Sequence, residues 1–207
     1  MIKKNILYII SAPSGAGKST LITNILKNKF FYNIKLSISY TTREIRSGEI
    51  DGEDYHFISK KEFKKLIKKN EFLEYAKVFD NYYGTSKVLV NKLLLKNYDV
   101  ILDIDWQGAN QIRKKNKDIC SIFILPPSKK VLYHRIKNRG QDTDVVIIKR
   151  MKKAIKEMSH YHEYDYLIIN DNFSKALFDL KNVFYTAHLS TKQQKVYNYD
   201  LINKLLT

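Results

Sequence analysis

Ser11-Ala-Pro-Ser-Gly-Ala-Gly-Lys-Ser-Thr20 is the stretch that decides the fold of this chain. Before it lies an isoleucine-rich apolar run, Ile6 to Ile10, which reads as a buried strand. After it, Leu21, Ile22, Ile25 and Leu26 recur at helical spacing. Strand, glycine loop, Gly17-Lys18-Ser19 and helix together make a phosphate-binding loop. Glycines let backbone N–H groups close around phosphate oxygens, and the helix N-terminus adds positive potential. Lys18 can reach the outer phosphates, and the Ser19 hydroxyl can ligate a magnesium ion. The first glycine of the usual spacing is replaced by Ala12. Pro13 holds Ala12 extended, where a Cβ is tolerated.

The 207 residues suffice for one domain with insertions, and the 44% hydrophobic content is ordinary for a globular protein. No apolar run is long enough to span a bilayer, and Met1-Ile-Lys-Lys-Asn5 carries no signal-peptide pattern. The single cysteine, Cys120, lies in an apolar run and reads as core, which suits a reducing cytoplasm. The net charge of +16 invites a nucleic-acid reading. The lysines, however, are spread along polar faces, and the lysine, asparagine and isoleucine content resembles A/T-rich coding bias. The arginines are few: Arg43, Arg46, Arg113, Arg135, Arg139 and Arg150. Each is a candidate planar fork for a phosphate or carboxylate.

Farther along, Ile34 to Tyr40 alternates as one half-buried strand, and Tyr55 to Ile58 reads as a short strand. Ser59-Lys-Lys-Glu62 is a capping box for a helix with Phe63, Leu66 and Ile67 inward. Phe72 to Phe79 reads as strand, and Asn81-Tyr-Tyr-Gly-Thr85 as a turn. Ser86 caps a helix carrying Val88, Leu89, Leu93 and Leu94. Asp99 to Asp105 is a buried strand ending in two acids, Asp103 and Asp105, a place where a magnesium-organising carboxylate is found beside a phosphate loop. Gly108 to Lys115 is helical, and Cys120 to Leu125 is a strand. Residues 129 to 139 form a helix on which Arg135 and Arg139 share a face and which Gly140 stops. A polar link, Gln141 to Asp144, leads to a long helix with Ile147, Met151, Ile155 and Met158 inward. Tyr166 to Ile169 is the last strand. Two helices close the chain, one with Leu177, Leu180, Phe184 and Ala187, the other with Tyr197, Leu201 and Leu205. Alternating strands and helices argue an α/β fold with a parallel sheet covered on both faces. The five histidines are scattered and suggest neither a metal cage nor a catalytic triad.

These residues together resemble the guanylate kinases, the bacterial ones especially, from about Ile6 to about Leu189. Besides the glycine loop, the resemblance is carried by Thr41-Thr-Arg-Glu-Ile-Arg46, Gly48-Glu-Ile-Asp-Gly52, Asp54-Tyr-His-Phe57, Asn81-Tyr-Tyr-Gly84, Leu102-Asp-Ile-Asp-Trp-Gln-Gly108, Ile124-Leu-Pro-Pro-Ser128, Asn138-Arg-Gly140, Met158-Ser-His-Tyr161 and Ile169-Asn-Asp171. It implies the phosphate-loop nucleoside monophosphate kinase fold, a parallel five-stranded sheet flanked by helices. A core of residues 1–36, 88–128 and 156–207 would hold ATP. A mixed insertion, 37–87, would bind GMP, and a helical lid, 129–155, would close over ATP.

By the same resemblance, Ala12, Pro13, Ser14, Gly15, Ala16, Gly17, Lys18, Ser19 and Thr20 would cradle the ATP phosphates, with Asn170 near the adenine. Arg43, Arg46, Tyr55 and Tyr83 would hold the GMP phosphate, and Ser39, Glu74 and Thr85 would surround the guanine. Thr85 keeps the hydroxyl of a serine found in many relatives. Asp103 and Asp105 would line the GMP site, with Ser19 and, through water, Asp103 organising magnesium. Lys18, Arg43, Arg139 and Arg150 would be catalytic, the last two reaching from the lid. The implied partners are ATP and GMP or dGMP, with no nucleic acid and no membrane, in a cytoplasmic monomer or homo-oligomer. The competing reading is a non-catalytic guanylate-kinase-like module that binds other proteins; intact Gly15, Gly17, Lys18 and Ser19 argue against it.

Overall fold

The apolar run before the glycine loop forms β1 (Leu7–Ser11), buried along its whole length, in a computed structural model that describes residues 5–27, 33–78, 80–138 and 144–207. Then come α1 (Lys18–Lys27) and β2 (Ile34–Leu36). The chain next builds β3 (Tyr40–Thr41), β4 (His56–Phe57), α2 (Lys60–Lys68), β5 (Phe72–Val78) and β6 (Asn81–Ser86). It continues through α3 (Lys87–Leu95), β7 (Asp99–Asp103), α4 (Trp106–Lys115) and β8 (Ile119–Leu125). After α5 (Lys129–Lys137), α6 (Asp144–Met158) and β9 (Tyr166–Ile169) it closes with α7 (Phe173–His188), α8 (Thr191–Tyr197) and α9 (Tyr199–Leu206).

The first sheet runs β2-β7-β1-β8-β9, every neighbouring pair parallel, so the expected five-stranded parallel sheet is present. Side chains alternate between its faces. Tyr8 and Ile10 pack with Leu21, Ile22, Ile25, Leu180 and Phe184 of α1 and α7. Leu7 and Ile9 pack on the other side with Val90 of α3 and Ala109 and Ile112 of α4. Burial on both faces is why these strands read as unbroken apolar runs. Ile10 stands opposite Asp103, which sets the glycine loop beside the end of β7. That crevice, at the C-terminal ends of the strands, is where open α/β sheets take ligands.

The second sheet is mixed, ordered β4-β3-β6-β5, with β3 and β4 parallel and the other pairs antiparallel. Asn81 to Thr85, expected as a turn, lies in strand β6, whose last residue, Ser86, caps α3 as expected; the reversal falls before the strand, where Asp80 takes φ +64°. Gly84 serves packing there, since a Cβ would stand 2.9 Å from Phe63 and 3.1 Å from Phe72. Ile34 to Tyr40, expected as one strand, is two. Ser37 N–H still bonds to Ile101 O of the first sheet, but Tyr40 already pairs with Gly84 of the second. Four apolar stripes also shift. Leu26, Val88 and Ile155 face outward, with Val90 and Ala154 buried in place of the last two, and the final expected helix breaks at Asn198 with Leu201 and Leu205 exposed. The Ser59–Glu62 capping box forms in both directions.

The C-terminal helices are tied to the sheet by a buried polar chain. Asp99 accepts from Ile6 N–H at 2.9 Å, and its other oxygen meets His188 Nε2 at 2.6 Å. His188 Nδ1 meets the Tyr197 hydroxyl at 2.8 Å. Both Asp99 and His188 are buried. Removing Asp99 takes away the buried acceptor of both Ile6 N–H and His188 Nε2, which costs more than one hydrogen bond is worth. Asp99→Ala is expected to lower unfolding free energy by about 3 kcal/mol in urea titration, against about 1 kcal/mol for Tyr197→Phe; equal midpoints for Asp99→Ala and the parent would contradict this.

Candidate active site

The glycine loop folds as its residue types require. Gly15 and Gly17 take φ +89° and +91°, which favour glycine, and Ala16 N–H closes the turn onto Pro13 O at 3.1 Å. α1 then begins at Lys18, aiming its N-terminal N–H groups into the loop. Helix α5 backs the loop, for a Cβ on Gly15 would stand 3.0 Å from both Leu132 and Ile136. Asn170, buried just past β9, donates from Nδ2 to Ala16 O at 2.8 Å, and its own carbonyl accepts from both terminal nitrogens of Arg135. Arg135 thus supports the loop through Asn170.

Lys18 forms an ion pair with Asp103 at the end of β7, with the two side chains 19% and 26% exposed. Burial pulls the Lys18 ammonium down, but the Asp103 carboxylate outweighs it and holds the group above its ordinary range. Glu157, near the end of α6, lies close enough to feel Lys18 and Ser14. Burial pushes its carboxyl up against the pull of Lys153, Lys18 and the Ser14 backbone. Ser19 and Thr20 are exposed at the start of α1.

On the second sheet, Arg43 is held flat. NH1 donates to Glu49 Oε2 at 2.9 Å and to Glu44 O at 2.7 Å, and NH2 donates to Glu49 Oε1 at 2.8 Å. Its guanidinium carbon lies 5.4 Å from the Tyr55 ring centre and 5.6 Å from that of Phe57. Hydrogen bonding to Arg43 holds Glu49 below the usual carboxylate range. The Tyr55 ring meets Tyr83 edge-on at 5.9 Å. Burial, with Asp103 and Tyr83 nearby, pushes the Tyr55 hydroxyl up to about 12. Arg46 is exposed, and its backbone N–H donates to Glu49 Oε2.

Deeper in, Thr85 donates to Glu74 Oε1 at 2.6 Å, and both residues are buried. Burial, with Asp105 adding, raises the Glu74 carboxyl to about 7 although the Thr85 bond opposes it. Asp105 caps α4, accepting from Gly108 N–H at 3.0 Å. Ser39 is buried where the chain passes from one sheet to the other. Of the expected site residues, Lys18, Asp103, Tyr55, Tyr83 and Arg43 form one electrostatic cluster, and Glu74, Thr85 and Asp105 a second, joined through the end of β7. Arg150 is half-buried on α6, and Arg139 lies outside the described residues. Glu49, Glu157 and Gly108 were given no role from sequence. Glu49 and Gly108 sat inside quoted motifs; Glu157 carries no local signal.

The site thus offers a cationic phosphate cradle, oxygen donors suited to a hard cation in Ser19 and Asp103, and a buried carboxylate–hydroxyl pair a short way off. The guanylate kinase family model matches residues 4–187. The chain is 60% identical to a guanylate kinase of Buchnera aphidicola subsp. Schizaphis graminum, over 99% of both chains. It is 54% identical to the guanylate kinase of Escherichia coli strain K12, over 97% of both. The crystal structure of guanylate kinase from Anaplasma phagocytophilum superposes with a TM-score of 0.73 at 29% identity, covering 94% of this chain and 95% of that one. On its sequence and its fold alike, this chain belongs to the guanylate kinase family.

Proposed function

We propose that this protein transfers the γ-phosphoryl group of ATP to GMP, giving ADP and GDP. The observation that carries this is the end of β7, where Asp103 pairs with Lys18 of the phosphate loop and Asp105 lies within electrostatic reach of Glu74. One strand end thereby serves both nucleotides. GMP belongs with the segment 37–87 and ATP with the glycine loop, while residues 129–155 close over the pair.

The attacking group is a GMP phosphate oxygen, already largely ionised near neutrality because the second pKa of a phosphomonoester is about 6. No general base is required. The task is to bring two anions together and neutralise their repulsion. Lys18 exchanges Asp103 for phosphate oxygens; Arg43 and Arg46, with the Tyr55 and Tyr83 hydroxyls, hold the acceptor phosphate; Arg139 and Arg150 complete the cluster from the lid. Glu49 keeps the Arg43 fork fixed, leaving its remaining N–H groups for the phosphate. Ser19 and Asp103, the latter through water, fit Mg²⁺, a hard cation that retains waters and uses few protein oxygens. When bound, the metal would neutralise charge on the phosphates.

Guanine presents N1–H and N2–H together, and ionised Glu74 can accept both. Thr85 orients that carboxylate and can turn its hydrogen toward guanine O6 only by releasing it. Adenine lacks N1–H and O6 and would leave these buried groups unpaired. Asn170 locks the loop that holds ATP. The substrates are small molecules in the cytoplasm, GMP or dGMP with ATP, and the lysine excess is solvated surface without a nucleic-acid or membrane partner. Among the described residues, no helix is long and apolar enough to cross a membrane.

Three outcomes are expected. Lys18→Met keeps the fold by circular dichroism but loses at least ~10³-fold in kcat in a coupled ADP assay; a rate near the parent's contradicts the mechanism. Glu74→Ala loses at least ~10²-fold of the preference for GMP over AMP with little change in KM for ATP; an unchanged preference removes Glu74 as the base reader. Because Glu74 sits near 7 and only its ionised form accepts both guanine donors, KM for GMP falls as pH rises through about 7. That inflection is absent in Glu74→Gln, and its survival there assigns it to another group.

A further inference from the structure

Helix α4 places a glycine where almost any other residue would favour the helix. Gly108 is its third residue, with ordinary helical backbone, so no unusual φ explains it. A glycine inside a helix calls for a packing reason. Here the reason is one side chain. A Cβ built on Gly108 would stand 2.3 Å from Glu74 Oε2, 2.8 Å from its Cδ and 3.3 Å from its Cγ. The carboxylate occupies the space that any larger residue would fill.

Glu74 has little freedom to retreat. It is 3% exposed, and its other oxygen holds the Thr85 hydroxyl at 2.6 Å. Its two chain neighbours are both fastened to α4. The Tyr75 backbone is bonded to the Gln111 side-chain amide, its O accepting from Nε2 at 2.7 Å and its N–H donating to Oε1 at 3.2 Å, and Lys115 Nζ donates to Leu73 O at 2.9 Å. Helix and strand therefore cannot part locally without breaking three hydrogen bonds. Gly108 also fixes the second acid of the pocket, since its N–H caps Asp105 Oδ1 at 3.0 Å. One residue thus seats both carboxylates, Asp105 through its backbone and Glu74 through its missing side chain.

We infer that Gly108 is a positioning residue that sets base specificity: its bare Cα is the floor against which Glu74 is aimed at the acceptor nucleotide. This rests on the guanine-reading role proposed for Glu74 and adds that α4 dictates where Glu74 stands. A methyl group there displaces the carboxylate from its Thr85-bonded position and leaves the phosphate-binding groups of both nucleotides where they are.

The test is a double-mutant cycle on the full chain, with Gly108→Ala, Glu74→Ala and the combination, assayed for ADP formation with GMP and ATP varied separately. GMP-dependent turnover by the parent protein is the prior condition; without it the proposed function fails, whatever Gly108 does. With it, Gly108→Ala is expected to raise KM for GMP at least about ten-fold and KM for ATP less than about two-fold. In the Glu74→Ala background the same substitution is expected to do nothing further to KM for GMP, because the atoms it would strike are gone. A Gly108→Ala protein with parental KM for GMP overturns the inference, and so does an equal ten-fold loss in both backgrounds. If Gly108→Ala alone does not fold, Glu74→Ala must restore folding by making room; a double variant that also fails to fold overturns it as well.

Discussion

The Lys18 ammonium and the Asp103 carboxylate meet where the phosphate loop runs beside the end of β7, and the rest of the site is arranged around that pair. The parallel register sets Ile10 against Asp103, so the loop that follows β1 starts beside that acid. On its other side Asp103 acts on the Tyr55 hydroxyl of the second sheet. In the proposed reaction this one charge serves both nucleotide sites: it would restrain the lysine until a phosphate competes for it and keep an oxygen ligand ready for a hard cation.

The second sheet answers with buried polarity of another kind. Glu74 is enclosed by Thr85, Gly108 and its own strand, and burial moves its carboxyl to about 7. A carboxylate so enclosed is costly without donors and strongly selective for a ligand that supplies them. Arg43 is treated oppositely: Glu49 and the aromatic faces of Tyr55 and Phe57 hold a charge that phosphate can reach. In the proposed reaction, phosphate affinity and base selectivity are thereby separated within one small sheet, the inner groups reading the base and the outer groups holding charge.

What was legible in the chain was local. The glycine loop and the capping box at Ser59 each carry their own chemistry within a few residues, and each forms as expected, whereas the strand expected over Asp99 to Asp105 stops at Asp103 because Asp105 caps α4. The resemblance to guanylate kinases supplied roles that composition and spacing could not. Asn81 to Thr85 reads as a turn because asparagine, glycine and tyrosine beside a reversal look like the reversal itself. Only pairing with β5, its hairpin partner, and with β3, distant in sequence, makes it a strand. The alternation of Ile34 to Tyr40 could not reveal that the chain changes sheets midway. Val88 and Ile155 lost their expected inward places to Val90 and Ala154, since helical spacing fixes a stripe but not which edge of it meets the core. Gly108 ends a quoted stretch, but nothing local shows why it must be glycine, because what it excludes lies 34 positions earlier in the chain.

Two nucleotide sites meeting at one strand end should accept a single ligand that joins both substrates. The most direct measurement is calorimetric titration with adenosine and guanosine linked 5′ to 5′ through a phosphate chain. One molecule per chain, bound at least about a hundred-fold more tightly than ATP or GMP alone and expelling both, is the expected result. Affinity no better than that of ATP, or free GMP still binding beside the linked ligand, would contradict the adjacency on which the proposed transfer depends.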